Sequence, residues 1–240
     1  AENGLLPANP ADAVTPPKAV SQAKKILNHD QLDTFKAAVQ QDWIWRDFFL
    51  TELTTGLRRG ELCGLKWSDF DETAGTLNVC RTIHARKGGG VEEGTTKTYA
   101  GTRTILLPSS TAQLLRERKK SALTEWIFPD PLCPEQPVSP GSAYRRLKGL
   151  LEEAGLPDLR FHDLRHTFAT HALASGVDAK TLSGILGHTK ASFTLDTYTH
   201  VTGDMHRNAA EIVGDFMTEL LGEEMKPWQS SENGETAVST

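Results

Sequence analysis

The sequence has few features of membrane-embedded or secreted proteins. None of its 240 residues belong to an apolar run near the ~20 residues of a membrane span. The opening stretch AENGLLPANPADAV has neither the charged region nor the apolar stretch of a signal peptide. The three cysteines, Cys63, Cys80 and Cys133, are odd in number and form no C-x-x-C pair, which disfavours a disulfide framework, a zinc ribbon or a redox motif. We therefore expect a cytosolic globular protein with reduced structural thiols.

An overall excess of basic residues is also missing. The formal net charge of -5 argues at first against a nucleic-acid partner, since tight phosphate binding normally leaves a basic footprint. Residues 211–240 hold seven acidic residues and Lys226, and removing these from the totals leaves 25 basic and 24 acidic groups in residues 1–210. Residues 81–120 carry nine basic and three acidic residues. This charge pattern fits a local phosphate-binding patch and an ordinary solvated surface about equally well.

The first part of the chain predicts helices after a linker. Residues 1–18 are rich in Pro and Asn, and the folded unit is expected to begin near residue 19. The segment NHDQLDTFKAAVQ predicts a helix capped by Asn28 or Asp30. The segment DWIWRDFFLTELTTG predicts a second helix that buries Trp43, Phe48 and Leu50. A break at residue 56 is then followed by a short helix.

The pattern changes in the middle of the chain and then returns to helices. Three β-branched, alternating segments, GTLNVCRTIHAR, EEGTTKTY and GTRTILLP, predict a small three-stranded antiparallel sheet. Helical periodicity follows in SSTAQLLRERKKSALT, SPGSAYRRLKGLLEEAG, DAKTLSGILG and a final helix over residues 203–222. The fold class is therefore α+β and mainly helical, and residues 223–240 are expected to be a disordered tail.

The segment FHDLRHTFATHALASG places histidines beside an apolar stripe. Helical spacing predicts that Phe161, Leu164 and Phe168 are buried, while His162 and Arg165 project together from the edge of that face. Such a pair serves structure or holds an anion. The two histidines at 162 and 166 have a zinc-compatible spacing, but no H-E-x-x-H pattern and no nearby cysteine support a metal site. The histidines at 166 and 171 are expected to pack or cap.

Several polar side chains along the chain are of the types that phosphoryl transfer uses. Guanidinium groups can neutralise a five-coordinate phosphorus centre, and histidine can move a proton near neutral pH. A lysine ammonium can protonate a leaving oxygen, and a tyrosine phenol can attack phosphorus if a base or a cationic setting overcomes its pKa near ~10. Each such residue alone also fits a structural role. The candidates are Arg58, Lys97, His162, Arg165, His188 and Tyr198.

Four segments resemble, in order, the motifs of the tyrosine recombinases, or phage-type integrases. TGLRRGELCGLKWSDF resembles their first arginine box, TKTYAGTRTILLP their β-hairpin lysine, HDLRHTFATHAL their H-x-x-R box and LGHTKASFTLDTYTHV their second histidine and nucleophile. The resemblance covers roughly residues 20–222. It implies the tyrosine-recombinase catalytic fold, with residues 19–222 as the catalytic domain and residues 1–18 as the linker and remnant of a missing core-binding domain. The ten-residue interval between His188 and Tyr198 resembles integrases of conjugative transposons.

The resemblance also implies roles for individual residues. Tyr198 would form a 3′-phosphotyrosyl bond with DNA, and Lys97 would protonate the leaving 5′-oxygen. Arg58 and Arg165 would clamp the scissile phosphate. Glu61, three residues after Arg58, would orient that cluster.

The two histidines and the partners follow from the same resemblance. His162 would transfer a proton and bind phosphate, and His188 would donate a hydrogen bond to it. The implied partners are double-stranded DNA and other protomers that dock through helix 203–222, although that helix could equally close its own core. The implied reaction uses no metal or other cofactor and takes place in the bacterial cytoplasm on nucleoid DNA. The alternatives are a non-cleaving DNA-binding module and a type IB topoisomerase-like enzyme.

Overall fold

A computed structural model of the chain describes residues 14, 25–86, 88–95 and 101–188. Its helices in these ranges are α1 (His29–Gln41), α2 (Arg46–Thr55), α3 (Arg59–Cys63), α4 (Ser109–Lys119), α5 (Pro140–Glu153), α6 (Phe161–Ala174) and α7 (Ala179–Leu186). Its strands are β1 (Phe70–Asp71), β2 (Thr76–Val79), β3 (Arg81–Ala85), β4 (Val91–Thr95) and β5 (Arg103–Leu106). Several predicted features lie outside the described residues: Lys97, Tyr198, helix 203–222, tail 223–240 and the linker 1–18. Of the linker, only residue 14 is described.

The expected fold class, mainly helical with a small three-stranded antiparallel sheet, is confirmed, but the three predicted strand segments divide between two sheets and β1 was not predicted. In the three-stranded sheet β2 pairs with both β1 and β5, and a separate hairpin joins β3 to β4. The segment expected as one strand divides at Cys80 into β2 and β3. At the division Arg81 donates to the Gly64 carbonyl at 3.2 Å and pairs with Asp69, and the Cys80 thiol donates to Asp69 at 3.6 Å. These contacts direct β3 towards α3 and away from the first sheet.

Aromatic side chains form the centre of the core between α1, α2 and α6. The rings of Phe48 and Phe49 lie edge to face with centroids 5.4 Å apart, and Phe48 also contacts Phe128 at 5.2 Å and Phe161 at 6.1 Å. Phe35 of α1 meets Phe49 at 6.0 Å. Because edge-to-face aromatic pairs have preferred geometries, this cluster fixes the start of α6 against α2.

The predicted burial of Trp43 is wrong. Trp43 is 87% exposed because it lies in a turn before α2, which begins at Arg46. Trp45 takes the inward position instead and packs its ring on Phe48 at 5.5 Å. The prediction for Phe48 is confirmed, and Leu50 is partly buried against the core.

Polar side chains cap the starts of α1, α5 and α7, and the first of these caps was predicted from the sequence. Asn28 caps α1 and forms a capping box with Gln31, which decides between the two predicted caps. Ser139 caps α5 and Asp178 caps α7 by accepting hydrogen bonds from backbone N–H groups.

Helices of the length and apolar content needed to cross a bilayer do not occur in the described ranges.

Glycine at position 56 lets α2 end directly against α6. Gly56 has φ 58° and ψ 31°, in the left-handed region that glycine tolerates best. A Cβ at this position would lie 2.3 Å from Cδ1 of Phe168 and 3.1 Å from Cδ2 of Leu186. The turn therefore needs glycine both for its backbone angle and for the close approach of α6.

We expect Gly56→Ala to lower the free energy of unfolding by about 2–4 kcal/mol, from left-handed strain and overpacking against Phe168. Gly184→Ala is the matched control, because Gly184 lies inside α7 and a methyl group added there would meet no heavy atom of the described residues within 4 Å. That control should be neutral or stabilising by up to about 1 kcal/mol. Urea unfolding followed by circular dichroism measures both, and equal losses for the two variants would contradict the assignment.

Candidate active site

The two arginines predicted to bind phosphate meet at the C-terminal end of α7. Nη2 of Arg165 donates to the Leu186 carbonyl at 2.7 Å, and Nη2 of Arg58 donates to the Gly187 carbonyl at 3.1 Å. The last carbonyls of a helix lack partners within the helix and carry partial negative charge. Adjacent carbonyls therefore hold two guanidinium groups side by side, although residues 58 and 187 are 129 positions apart.

Arg165 is almost completely buried, with 1% of its surface exposed. Nη1 of Arg165 donates to the Gly56 carbonyl at 2.8 Å, so the turn after α2 also fixes this guanidinium. Burial, and then the nearby charge of Arg58, lower the pKa of Arg165 to about 10. Arg165 therefore still carries a positive charge at neutral pH.

The contact between His188 and Arg165 fixes the tautomer of the imidazole. Nε2 of His188 lies 2.9 Å from Nη2 of Arg165. A guanidinium can only donate, so Nε2 accepts and the proton of the neutral ring is on Nδ1. Burial, and then the charges of Arg165 and Arg58, lower the pKa of His188 to about 4. The ring is therefore neutral at physiological pH.

His162 lies at the start of α6, on the same side of the molecule as the two guanidiniums. Its ring packs edge to face on His166, with ring centroids 4.6 Å apart. Its outer edge is exposed, while partial burial and then the charges of Arg165 and Arg58 lower the pKa of His162 to about 4. No group of three His, Cys, Asp or Glu side chains within the described ranges is arranged to hold a metal ion.

The other two histidines of the segment pack as expected. His166 is buried, and Nε2 of His171 lies 2.9 Å from the carbonyl of Leu27. The ring of His171 also meets His29, with centroids 4.8 Å apart. These contacts tie α6 to the start of α1.

Glu61 is a buried carboxylate beside the arginine cluster, with 3% exposure. It accepts from Nη1 of Arg58 at 2.7 Å and from the Arg58 backbone N–H at 3.0 Å. Burial opposes its ionisation, but hydrogen bonds and charges from Arg103 and Arg58 outweigh burial and hold the pKa of Glu61 below its ordinary value. Glu61 therefore stays ionised and orients Arg58, whose side chain remains 42% exposed.

Arg103 belongs to the same cluster, and the sequence analysis missed it. Its guanidinium donates to Glu61 at 2.9 and 3.2 Å and to the carbonyls of Ile185 at 2.7 Å and Gly101 at 3.1 Å. The sequence did contain a pattern that could have identified Arg103. Arg103 and Ile105 are two residues apart in β5 and therefore share its inward face. A charged residue on the buried face of a strand needs a buried partner.

Glu52 is a second buried acid that the sequence analysis did not single out. It is fully buried in α2, and neither carboxyl oxygen has a hydrogen-bond partner within the described ranges. Burial raises the pKa of Glu52 well above its ordinary value, and the charge of Arg165 opposes that shift in part. Glu52 is therefore harder to ionise than Glu61, whose pKa is lowered.

The described part of the site is a cationic cluster prepared for an anion. Three guanidiniums face one ionised carboxylate, and two neutral imidazoles border them. The structure brings together Arg58, Arg165, His188, His162 and Glu61 of the predicted set. Lys97 and Tyr198 lie outside the described residues, so their places in this site stay predictions.

Comparison with known proteins gives concordant matches. The family model of the "Phage integrase family" matches residues 22–204. A "Tyrosine recombinase XerC-like" protein of Caldanaerobacter subterraneus subsp. tengcongensis is 30% identical, over 90% of this chain and 62% of that protein. The ICEBs1 integrase of Bacillus subtilis is 25% identical, over 89% of this chain and 60% of that protein. The chain therefore spans about 60% of the length of these relatives.

Solved structures agree with the sequence matches. The Tn1549 transposon integrase in complex with transposon right end DNA superposes with a TM-score of 0.69 and 25% identity. This match covers 81% of this chain and 67% of the solved chain. The structure of the XerA recombinase superposes with a TM-score of 0.60 and 25% identity, over 90% of this chain and 68% of that one.

We expect the imidazoles of His162 and His188 to stay neutral down to about pH 4 in the protein alone, against ~6.5 for a histidine in an unfolded chain. Between these pH values the unfolded chain binds protons that the folded chain does not, so stability should fall as pH falls through this window. Histidine NMR titration, with His162→Gln and His188→Gln to assign the signals, measures the midpoints. A midpoint at or above 6.5 for either ring would contradict the described environment.

We expect Arg103→Met to lower the free energy of unfolding by about 2–4 kcal/mol, because it removes one partner of a buried ion pair and leaves Glu61 less compensated. Arg145→Met is the matched control, since Arg145 is exposed and its guanidinium contacts only Ser142 within the described ranges. The control should change stability by no more than about 0.5 kcal/mol. Chemical unfolding measures the free energy of unfolding of both variants. If Arg103→Met left it unchanged, the Arg103–Glu61 pair would not contribute to stability.

Proposed function

Because the chain belongs to the phage integrase family of tyrosine recombinases, we propose that it cuts and rejoins DNA at specific sites to integrate and excise a mobile genetic element. The observation that carries the proposal is the pair of guanidiniums on the carbonyls of Leu186 and Gly187, with the neutral His188 imidazole beside them. Each guanidinium keeps N–H groups beyond those bound to carbonyls, and these can donate hydrogen bonds to the nonbridging oxygens of a phosphate. The guanidiniums supply the positive charge that a five-coordinate phosphorus requires.

In the proposed reaction the phenolic oxygen of Tyr198 attacks the scissile phosphorus. The bond from phosphorus to the 5′-oxygen breaks, and Lys97 gives its proton to that oxygen as it leaves. The products are a 3′-phosphotyrosyl bond and a free 5′-hydroxyl. A 5′-hydroxyl from another strand reverses these steps, so rejoining needs no ATP because the tyrosyl ester conserves the bond energy.

The histidines and the acid assist this exchange. His162 is neutral in the free protein and can accept the phenolic proton, and its place beside the guanidiniums fits a phosphate-binding role as well. His188 carries its proton on Nδ1 and donates from that atom to a phosphate oxygen. Glu61 orients Arg58 through its ion pair with the guanidinium.

Finer features of the proposal follow from the same family. Residues 19–222 form the catalytic domain, residues 1–18 form a linker, and helix 203–222 docks on a neighbouring protomer. The substrate is double-stranded DNA at the ends of a conjugative-transposon-like element, in the cytoplasm of a bacterium. The reaction requires no metal, so chelation with EDTA should not reduce DNA cleavage.

The decisive test is covalent trapping on a nicked suicide duplex. The wild-type chain should give a protein–DNA band on a denaturing gel, and Tyr198→Phe should give none because phenylalanine lacks the attacking oxygen. Arg165→Lys should reduce the band by at least about tenfold, since one ammonium cannot reproduce the contacts of the guanidinium to Gly56, Leu186 and His188 and also face a phosphate.

The same assay separates the alternatives. A band that persists in Tyr198→Phe would exclude this tyrosine as the nucleophile. A wild-type chain that shifts the duplex on a native gel but never forms the covalent band would be a non-cleaving DNA-binding module instead. Joining of two separate sites distinguishes a recombinase from an enzyme that only relaxes supercoils.

A further inference from the structure

A cleft with mixed polar and apolar walls opens beside the candidate active site, next to His162. Its volume is about 300 Å³, at the lower end of the range for ligand clefts. Its walls come from the start of α3, from α5 and from the start of α6. They are formed by Leu57, Arg59, Tyr144, Arg160, Phe161 and His162.

Arg59 is the unusual residue of this cleft. It is half-buried, and its guanidinium carbon lies 5.7 Å from the ring centroid of Tyr144 and 6.0 Å from that of Phe161. In residues 25–86, 88–95 and 101–188 no hydrogen bond or ion pair to a carboxylate engages this guanidinium. Partly buried charges in proteins are normally paired, so the uncompensated charge of Arg59 favours binding of an anion.

The other charges around the cleft are already balanced. Arg160 donates to the buried carboxylate of Asp163 at 2.8 and 3.1 Å, which leaves that pair close to neutral. Lys148 lies over the Tyr144 ring, with Nζ 5.1 Å from the centroid, and pairs with Asp158. The cleft therefore carries about one uncompensated positive charge, which is centred on Arg59.

Arg58 and Arg59 are consecutive residues whose side chains point to different elements. Arg58 reaches the end of α7 through the Gly187 carbonyl, and Arg59 reaches the rings on α5 and α6. Because the two guanidiniums are held against different elements, each can face a separate phosphate. A polymer with a phosphate at every step could engage both at once.

We propose that the cleft binds the DNA phosphodiester adjacent to the scissile one, with Arg59 as its charge partner. This inference rests on the proposed function for the identity of the substrate. Such a contact fixes the register of the strand over Arg58 and His162 without reading base sequence.

The test compares Arg59→Gln with the wild-type chain on duplexes that carry one neutral methylphosphonate at each of the four phosphates flanking the scissile one. In the wild type, neutralising the phosphate that occupies the cleft should weaken binding by about tenfold, the usual scale of a charge-assisted hydrogen bond. In Arg59→Gln the same modification should have no further effect, and the salt dependence of binding should fall by about one phosphate contact. Binding is measured by native gel shift and cleavage by the covalent band.

Two further variants test whether the effect comes from the charge at position 59. Arg59→Lys keeps the charge and should retain sensitivity at the same phosphate. Arg46→Gln is the matched control, because Arg46 is an exposed arginine at the opposite end of α2 from the Gly56 carbonyl that holds Arg165, and it should behave as the wild type. Equal effects of every methylphosphonate on wild type and Arg59→Gln would overturn the inference. A wild-type chain that binds but never forms a covalent band would refute the proposed function instead, while the gel-shift comparison would still decide the role of the cleft.

Discussion

The C-terminal end of α7 is the constraint on which the candidate site depends. Three successive carbonyls at this end each accept a hydrogen bond from a different arginine: Ile185 from Arg103, Leu186 from Arg165 and Gly187 from Arg58. Helix-end carbonyls are rigid dipoles that need no reorganisation when a ligand arrives. They also leave the arginine side chains little rotamer freedom to lose on binding. A small shift of α7 would therefore move all three cations together, and with them the adjacent His188.

The charge balance of the cluster explains why it suits phosphate. Glu61 is ionised and shared by Arg58 and Arg103, so it neutralises only part of the positive charge around it. Arg165 has carbonyls and an imidazole as its hydrogen-bond partners, and these offset its charge only in part. The folded protein keeps three like charges close together, and a bound phosphate would supply the missing negative charge. Binding energy and preorganisation therefore have the same electrostatic source.

The sequence predicted the parts of this arrangement that are local in the chain. The Asn28 cap and the pairing of Arg58 with Glu61 follow from residues three apart. Helical spacing also placed His162 and Arg165 on one helix, but it put both at the edge of the buried face. In the structure His162 is exposed and Arg165 is turned inwards to α7 and Gly56. The contacts that pull Arg165 inwards are with backbone carbonyls, which every residue type has, so no sequence pattern could identify them. The predicted burial of Trp43 was wrong for a different reason. The helical periodicity of the sequence extends through the turn that precedes α2, so the sequence predicts that the turn is part of the helix.

The neutral histidines connect proton transfer to occupancy of the site. In the free protein, burial and the neighbouring guanidiniums hold the pKa of both His162 and His188 at about 4, so both rings begin as bases without a proton. A phosphate bound between the arginines would add negative charge beside the rings and raise the pKa of each. The ring that takes a proton during the reaction would then hold it more firmly while the phosphate is present than after the phosphate leaves. In the proposed reaction, burial and the charge of the arginines together keep the imidazoles deprotonated until a bound phosphate makes proton uptake favourable.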